Sequence, residues 1–362
     1  MSPTAVRSAV DSYVDPYLRQ SLGQAEAVIE LSLAGTTVQA VIELGIPVGG
    51  YEAAFRAALL AHMQAALPEI AGLDLELRAR ISAHAVQRQL KPLGGVSNVV
   101  AVASGKGGVG KSTVAVNLAL AWAAAGARVG ILDADIYGPS QPLMLGLGSQ
   151  HPTSPDGKRI RPLAAHGVEA MSIGFLIDPA QAMVWRGPMV TQALTQLLGD
   201  TAWGELDYLV VDMPPGTGDI QLTLAQRVPV AGVVIVTTPQ DIALADARKG
   251  LVMFEKVSVP VLGIVENMST HICSACGHEE AIFGSGGGAR LAAEYGARLL
   301  GQLPLDARIR EEADGGRPTV VAAPDSPRAL AYIEMARHTA GALATRSRDQ
   351  SAVFPKIVIE RS

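Results

Sequence analysis

The chain is poor in aromatic residues, at 4% of its 362 positions, although 49% are hydrophobic. A core so short of Phe, Tyr and Trp is filled by Ala, Val, Leu and Ile, which suits a helix-covered parallel sheet better than an all-β sandwich. No apolar run approaches the ~18 residues that a membrane span requires. The stretch Met1–Tyr13 lacks a basic region followed by an apolar segment and a small-residue cleavage site, so a cytoplasmic location is expected. Basic charge is also in short supply. A formal net charge of −5 gives no general attraction to phosphate backbones or anionic bilayers, and neither nucleic acid nor membrane is expected as a partner. Only two cysteines occur, both in one C-x-x-C. In a cytosolic protein that spacing points to metal or redox chemistry before a structural disulfide.

A chain of this length has room for one large α/β domain and a smaller appendage. Residues 1–86 read as the appendage. A helical start over Ala5–Leu18 precedes two β-rich runs, Ala27–Leu33 and Val38–Leu44, joined by a turn at Ala34–Thr37. Phe55, Leu59, Leu60, Met63 and Leu67 then recur at helical spacing, and Leu73–Ile81 alternates like a strand. Helix, hairpin, helix and strand predict a compact α+β unit. Residues 87–97, with Lys91, Pro92 and Gly94-Gly95, read as its exit linker.

Over residues 98–345 short apolar strands alternate with helices. The strands are Val99–Ala103, Val129–Leu132, Tyr208–Val211, Val233–Thr237, Val261–Val265 and Leu299–Leu303, each apolar enough to be buried on both faces. They predict an α/β fold with a doubly wound, mostly parallel sheet. The helical stretch Val114–Ala127 carries Asn117 and is expected to be a buried helix. The tail, 346–362, is polar apart from a short apolar patch, Val353–Ile359, to which the sequence assigns no role.

Between the first of these strands and its helix lies Gly105-Lys106-Gly107-Gly108-Val109-Gly110-Lys111-Ser112-Thr113, a G-x-x-x-x-G-K-S loop in the context that a phosphate cradle requires. Glycines let the backbone N–H groups curl towards the phosphates, and the following helix adds its positive N-terminus. Lys111 neutralises β- and γ-phosphate charge and the Ser112 hydroxyl ligates Mg²⁺. ATP is the expected nucleotide. At the carboxyl end of the second strand stand Asp133 and Asp135, where open α/β sheets place ligands. Asp212 ends another apolar strand and is followed by Met213-Pro214-Pro215-Gly216-Thr217-Gly218. It suits a carboxylate that holds Mg²⁺ through water, and Gly216 is placed to offer its N–H to the γ-phosphate. Asn267, at the end of the strand Val261–Val265, either caps a turn or reads a base edge with its amide.

Cys273 and Cys276 follow in His271-Ile272-Cys273-Ser274-Ala275-Cys276-Gly277-His278. Two randomly placed cysteines would fall three apart in about one such chain in 200, so the spacing carries information. Metal–thiolate sites usually take four ligands and one chain supplies two cysteines. Two copies of Cys273 and Cys276 across a twofold axis would supply four thiolates to a [4Fe–4S] cluster, making the protein a homodimer. Zinc held within one chain by His271, Cys273, Cys276 and His278, and a redox-active disulfide, are the alternatives.

The form KGGVGKST resembles the deviant Walker A class, which includes MinD/ParA ATPases, the nitrogenase iron protein and the Mrp/ApbC carriers. The resemblance implies that Lys106 reaches across a dimer interface to the partner's nucleotide, that Asp135, or failing it Asp133, orients the attacking water, and that Asn267 reads adenine. Taken together, GKGGVGKST, LDADIYGPSQPLML, VVDMPPGTGD, GIVENMS, the C-x-x-C and LGQLPLD resemble the Mrp/ApbC family of iron–sulfur cluster carriers, over about Asn98–Leu330. That resemblance implies an ATPase whose nucleotide cycle regulates delivery of a labile cluster, with cluster assembly scaffolds and apo iron–sulfur proteins as partners. The N-terminal unit, with Val14-Asp15-Pro16, looks like a MIP18-like domain. It departs from many of those at Ile46-Pro47-Val48-Gly49-Gly50, which has no cysteine beside its proline. The rival functional readings are a MinD/ParA-like positioning ATPase, an electron-donating reductase and a zinc-stabilised nucleotide switch.

Overall fold

The computed structural model describes residues 2–87, 90–176, 187–273 and 275–348. Two parts of the sequence reading, residues 88 and 89 of the linker and the tail from 349 onward with its apolar patch, lie outside the described residues.

The N-terminal unit opens with α1 (Pro3–Asp11), capped by Ser2, whose hydroxyl accepts from Ala5 N–H. The helix stops well short of Leu18. Pro16 disfavours a helical residue before it, and Asp15 Oδ1 instead collects the N–H groups of Tyr17 and Leu18, each at 2.9 Å. The turn so formed joins β1 (Val14–Asp15) to β2 (Gln20–Ser21). Next, β3 (Val28–Ala34) and β4 (Thr37–Leu44) form the expected hairpin. After α2 (Glu52–Ala66), β5 (Gly72–Ala79) pairs parallel to β4. Four aromatics pack together here, with Tyr13, Tyr17, Tyr51 and Phe55 meeting edge to face.

The large domain holds an eight-stranded sheet. Its strands are β6 (Val99–Ala103), β7 (Val129–Asp133), β8 (Leu163–Ala165), β9 (Val168–Ser172), β10 (Tyr208–Asp212), β11 (Gly232–Thr237), β12 (Val261–Glu266) and, beyond a small hairpin of β13 (His271–Ile272) and β14 (Glu279–Glu280), β15 (Leu299–Gln302). Their order across the sheet is β15-β12-β11-β6-β10-β7-β9-β8, and only β8 runs antiparallel to its neighbour. The six expected strands are all present. The pair β8–β9 is additional: it turns through His166 and Gly167, both at positive φ; β8 has only three residues, and Glu169 interrupts the apolar run of β9. Around the sheet lie α3 (Lys111–Ala124), α4 (Gln141–Met144), α5 (Gly187–Asp200), α6 (Asp219–Arg227), α7 (Asp241–Lys256), α8 (Gly287–Glu294), α9 (Ala307–Asp314), α10 (Thr319–Ala322) and α11 (Pro327–Ala344). Among the described residues no helix is long and apolar enough to cross a membrane.

Helix α3 is buried nearly all round, as its composition requires. Its Asn117 is tolerated because both amide ends are used: Nδ2 donates to Thr113 O at 2.9 Å and Oδ1 accepts from Val320 N–H at 3.1 Å. Trp122 stacks on Tyr208 and donates to Ala336 O at 2.9 Å, fastening α3 to α11.

The N-terminal unit is fastened to the same two helices. Gly49 N–H donates to Ala125 O, just beyond α3, at 3.0 Å. Tyr17 donates to Glu334 of α11 at 2.8 Å, and Arg337 donates to Gly50 O at 2.9 Å with its guanidinium 5.2 Å from the Tyr51 ring centre. The stretch read as a linker is also held. Gln87 donates to Ala225 O at 2.8 Å and accepts from Val230 N–H at 3.0 Å, while Val96 bridges to Leu206.

Candidate functional site

Strands β6, β10 and β7 are neighbours in the sheet and β12 lies on the far side of β11 from β6; the sequence-selected residues of the large domain stand on or beyond the ends of these four strands. Gly110 caps α3 at φ 80°, a left-handed conformation that a side chain rarely adopts, and Lys111 therefore opens the helix with Ser112 and Thr113 in its first turn. At the other end of the loop, Gly105 lies against α7. A Cβ there would sit 2.3 Å from the Asp246 carbonyl and 2.7 Å from Ala247 N. Both obstacles are backbone, so Gly105→Ala is expected to cost about 1–3 kcal/mol as overpacking does. Thermal denaturation measures it, and a variant as stable as the parent would mean that α7 yields. Gly107 and Gly108 face open space, leaving the middle of the loop clear.

Lys111 does not reach into solvent. Its ammonium forms an ion pair with Asp212 and donates to Ser112 Oγ at 3.1 Å; the lysine is 6% exposed and the aspartate fully buried. Asp212 and Asp133 are partners in the register of β10 on β7, which sets two carboxylates next to each other at the floor of the site. Burial, and then the Asp212 charge, raise the Asp133 carboxyl well above the usual carboxylate range. Asp133 also organises the loop after it. It accepts from Ser140 N–H at 2.9 Å, Gln141 N–H at 3.0 Å, Asp135 N–H at 3.2 Å and Ser172 Oγ at 3.3 Å. Asp135 is only half-buried; its carboxyl is raised by burial and opposed by the Lys111 charge.

Gln141, at the start of α4, was not singled out by its sequence context, because a lone glutamine there follows no local pattern. Its amide nitrogen donates to Asp212 Oδ2 at 2.9 Å and to Ser112 O at 3.2 Å, joining the two anchors that the sequence did identify. Gly216 N–H donates to Ser104 O at 3.0 Å, so the loop after β10 is tied to the start of the phosphate loop. Asn267 is buried beside that loop, with Nδ2 donating to Val109 O at 2.9 Å. Lys106 is half-exposed and makes no ion pair among the described residues, while its carbonyl accepts from Ser104 Oγ at 2.9 Å.

The cysteines stand apart from these groups, at the tip of the β13–β14 hairpin. Cys273 N–H donates to His278 O at 2.9 Å and Gly277 N–H donates to Cys273 O at 2.8 Å. Cys273 is partly exposed and Cys276 exposed; both are free thiols. Backbone N–H groups of Cys276 and Ala275, and then the Cys276 thiol, hold the Cys273 thiol below its ordinary range. The hairpin base is pinned, with His271 Nδ1 2.9 Å from Leu305 O. Among the described residues no three His, Cys, Asp or Glu side chains gather to hold a metal ion, so His271 and His278 do not close a site around the two thiols. Exposed Ile272 and Ile282 flank the hairpin.

Comparison with known proteins shows which family the chain resembles. The model of the ParA family, described as NUBPL iron-transfer P-loop NTPase, matches residues 95–340. An iron–sulfur cluster carrier protein from Pseudomonas fragi is 62% identical over 271 residues, 75% of this chain and 94% of that protein. One from Escherichia coli K12 is 52% identical over 349 residues, 94% of each chain, so the N-terminal unit is included in the likeness. Among solved structures, a nucleotide-binding protein in complex with ADP from Archaeoglobus fulgidus is 39% identical, with a TM-score of 0.57, over 65% of this chain and 91% of that one. With a phosphate loop after β6 closed on a buried aspartate and a two-thiol hairpin after β12, the chain belongs to the ParA family of NUBPL iron-transfer P-loop NTPases.

Proposed function

We propose that this protein is an ATP-dependent iron–sulfur cluster carrier, which holds a labile [4Fe–4S] cluster between two copies of the chain and passes it to apo-proteins. The supporting observation is the hairpin tip. Two free thiols sit on a pinned support, no third ligand joins them among the described residues, and a cubane takes four. A second copy related by a twofold axis supplies the other two. The cluster is cargo in this reading, received from assembly scaffolds and given up to apo iron–sulfur proteins in the cytoplasm.

The phosphate loop fits ATP and Mg²⁺ by its donor set. Lys111 carries the charge for the phosphates, Ser112 and Asp212 supply oxygens suited to Mg²⁺, and the glycines leave the loop's middle unobstructed. Mg²⁺ held there with the nucleotide would supply charge neutralisation for the phosphates. The chain's own groups do the rest. Lys111 exchanges Asp212 for phosphate, Gly216 N–H exchanges Ser104 O for the γ-phosphate, and Lys106 acts on the partner's nucleotide. Asp135 orients the attacking water, since Asp133 spends its oxygens on the loop backbone. Asn267 holds the phosphate loop through Val109 and offers its remaining amide oxygen to the base. Hydrolysis by positioning and charge alone is slow unless a partner completes the site.

Anaerobic reconstitution tests the proposal. About four iron and four sulfide per dimer are expected, followed by transfer of the intact cluster to an apo-ferredoxin. A holoprotein that stays monomeric, or one zinc per chain, overturns it.

A further inference from the structure

Two neighbouring buried atoms at the nucleotide site lack a hydrogen-bond partner among the described residues. Gln141 opens α4 and is 1% exposed, with its backbone N–H on Asp133 and its amide nitrogen on Asp212 and the Ser112 carbonyl. Its carbonyl oxygen, Oε1, is buried and accepts no hydrogen bond among the described residues. The neighbouring Ser140 Oγ is in the same condition. Folded proteins leave few such groups unsatisfied, and those that remain call for an explanation such as a water or an ion. The buried Asn117 of α3 uses both ends of its amide, whereas Gln141, placed between two residues of the nucleotide site, uses only one.

Chemistry narrows what Oε1 takes. An amide oxygen accepts and does not donate, so it repels the phosphate oxygens of a nucleotide and takes an N–H, an O–H or a cation. Its amide nitrogen is already on Asp212 and on Ser112, the two residues that the proposed function assigns to the divalent cation. Water bound to such a cation is polarised and is a strong donor. We propose that Gln141 Oε1 accepts a hydrogen bond from a water in the coordination sphere of the nucleotide's divalent cation. Gln141 is then a positioning residue: its nitrogen steers Asp212 and its oxygen steers the hydrated cation. The inference rests on the nucleotide reading above.

The test uses the full chain and the fluorescent analogue mant-ATP, titrated once in EDTA and once with Mg²⁺. Wild type should bind more tightly with Mg²⁺. Gln141→Met, similar in length but with neither donor nor acceptor, should bind as wild type does in EDTA and lose about tenfold of the Mg²⁺ enhancement, the worth of one hydrogen bond to a charged group. Mn²⁺ titrated into the protein with ATP and followed by paramagnetic resonance should bind about tenfold more weakly to the variant. Undiminished Mg²⁺ enhancement, or an equal loss in both buffers, overturns the proposal; the second result would be a structural role. Should the methionine variant fail to fold, Gln141→Asn, which withdraws the amide by one methylene, is read the same way. Wild type that binds no analogue in either buffer defeats the nucleotide reading itself, whereas a binding wild type with an unaltered variant defeats only the role of Gln141.

Discussion

Cys273→Ala and Cys276→Ala are each expected to reduce the iron and sulfide of the reconstituted protein from about four per dimer to near zero. The loss is all-or-none because one substitution removes two ligands from a twofold site. Neither change should disturb the fold. Cys276 is exposed, and Cys273 holds its place through backbone hydrogen bonds to His278 and Gly277, which alanine retains. Iron and sulfide analysis after anaerobic reconstitution, with the charge-transfer absorption of the cluster, reads the outcome. Nucleotide affinity should be unchanged, since the thiols make no contact with the phosphate loop. A variant that still binds a full complement of iron would place the cluster elsewhere and remove the reason for a shared site.

Lys111→Ala is expected to weaken nucleotide binding on the order of a hundredfold, near the top of the range for a hydrogen bond between charged groups. It should also destabilise the protein, which the loop motif alone does not suggest. Lys111 is the cation paired with Asp212, and both are buried. Removing one partner of a buried pair leaves an uncompensated charge at a cost of about 3–5 kcal/mol, here moderated by the Gln141 amide that remains on Asp212. The two effects separate in a double variant, Lys111→Met with Asp212→Asn. Thermal denaturation should recover towards the wild-type value, because no unpaired charge is left, while nucleotide binding stays lost. If the single variant melts as the wild type does, the ion pair contributes nothing to the fold. If it binds nucleotide normally, the site assignment fails.

The nucleotide loop was legible because its requirements are local. Left-handed backbone at Gly110, a lysine at the first helical position and a hydroxyl beside it are neighbours in the chain, and their spacing survives folding unchanged. The six expected strands, four of which lead into functional residues, were equally plain, since strands buried on both faces must be continuously apolar. Where the reading stopped short, a distant partner decided the outcome. Helix α1 ends at Asp11 because Asp15 gathers the backbone N–H groups beyond Pro16. Residues 87–97 have a linker's composition, yet Gln87 is held by backbone 138 to 143 positions away. Strand β8 has only three residues, and Glu169 interrupts the apolar run of β9, so neither shows the continuous apolar stretch of the other strands.

By itself the sequence determined the chemistry available to this protein: a phosphate cradle, carboxylates at strand ends and two thiols three residues apart. Residue type and near-neighbour spacing specify those groups, and both are properties of the unfolded chain. Tertiary structure decided which groups meet. It paired Lys111 with Asp212, 101 residues away, set Asn267 on Val109 across 158, and laid Asp133 beside Asp212 through strand register. It also buried Gln141 between them with one oxygen unused. Such contacts depend on strand order and burial, which are settled by the packing of the whole sheet and leave no local trace in the residues that make them.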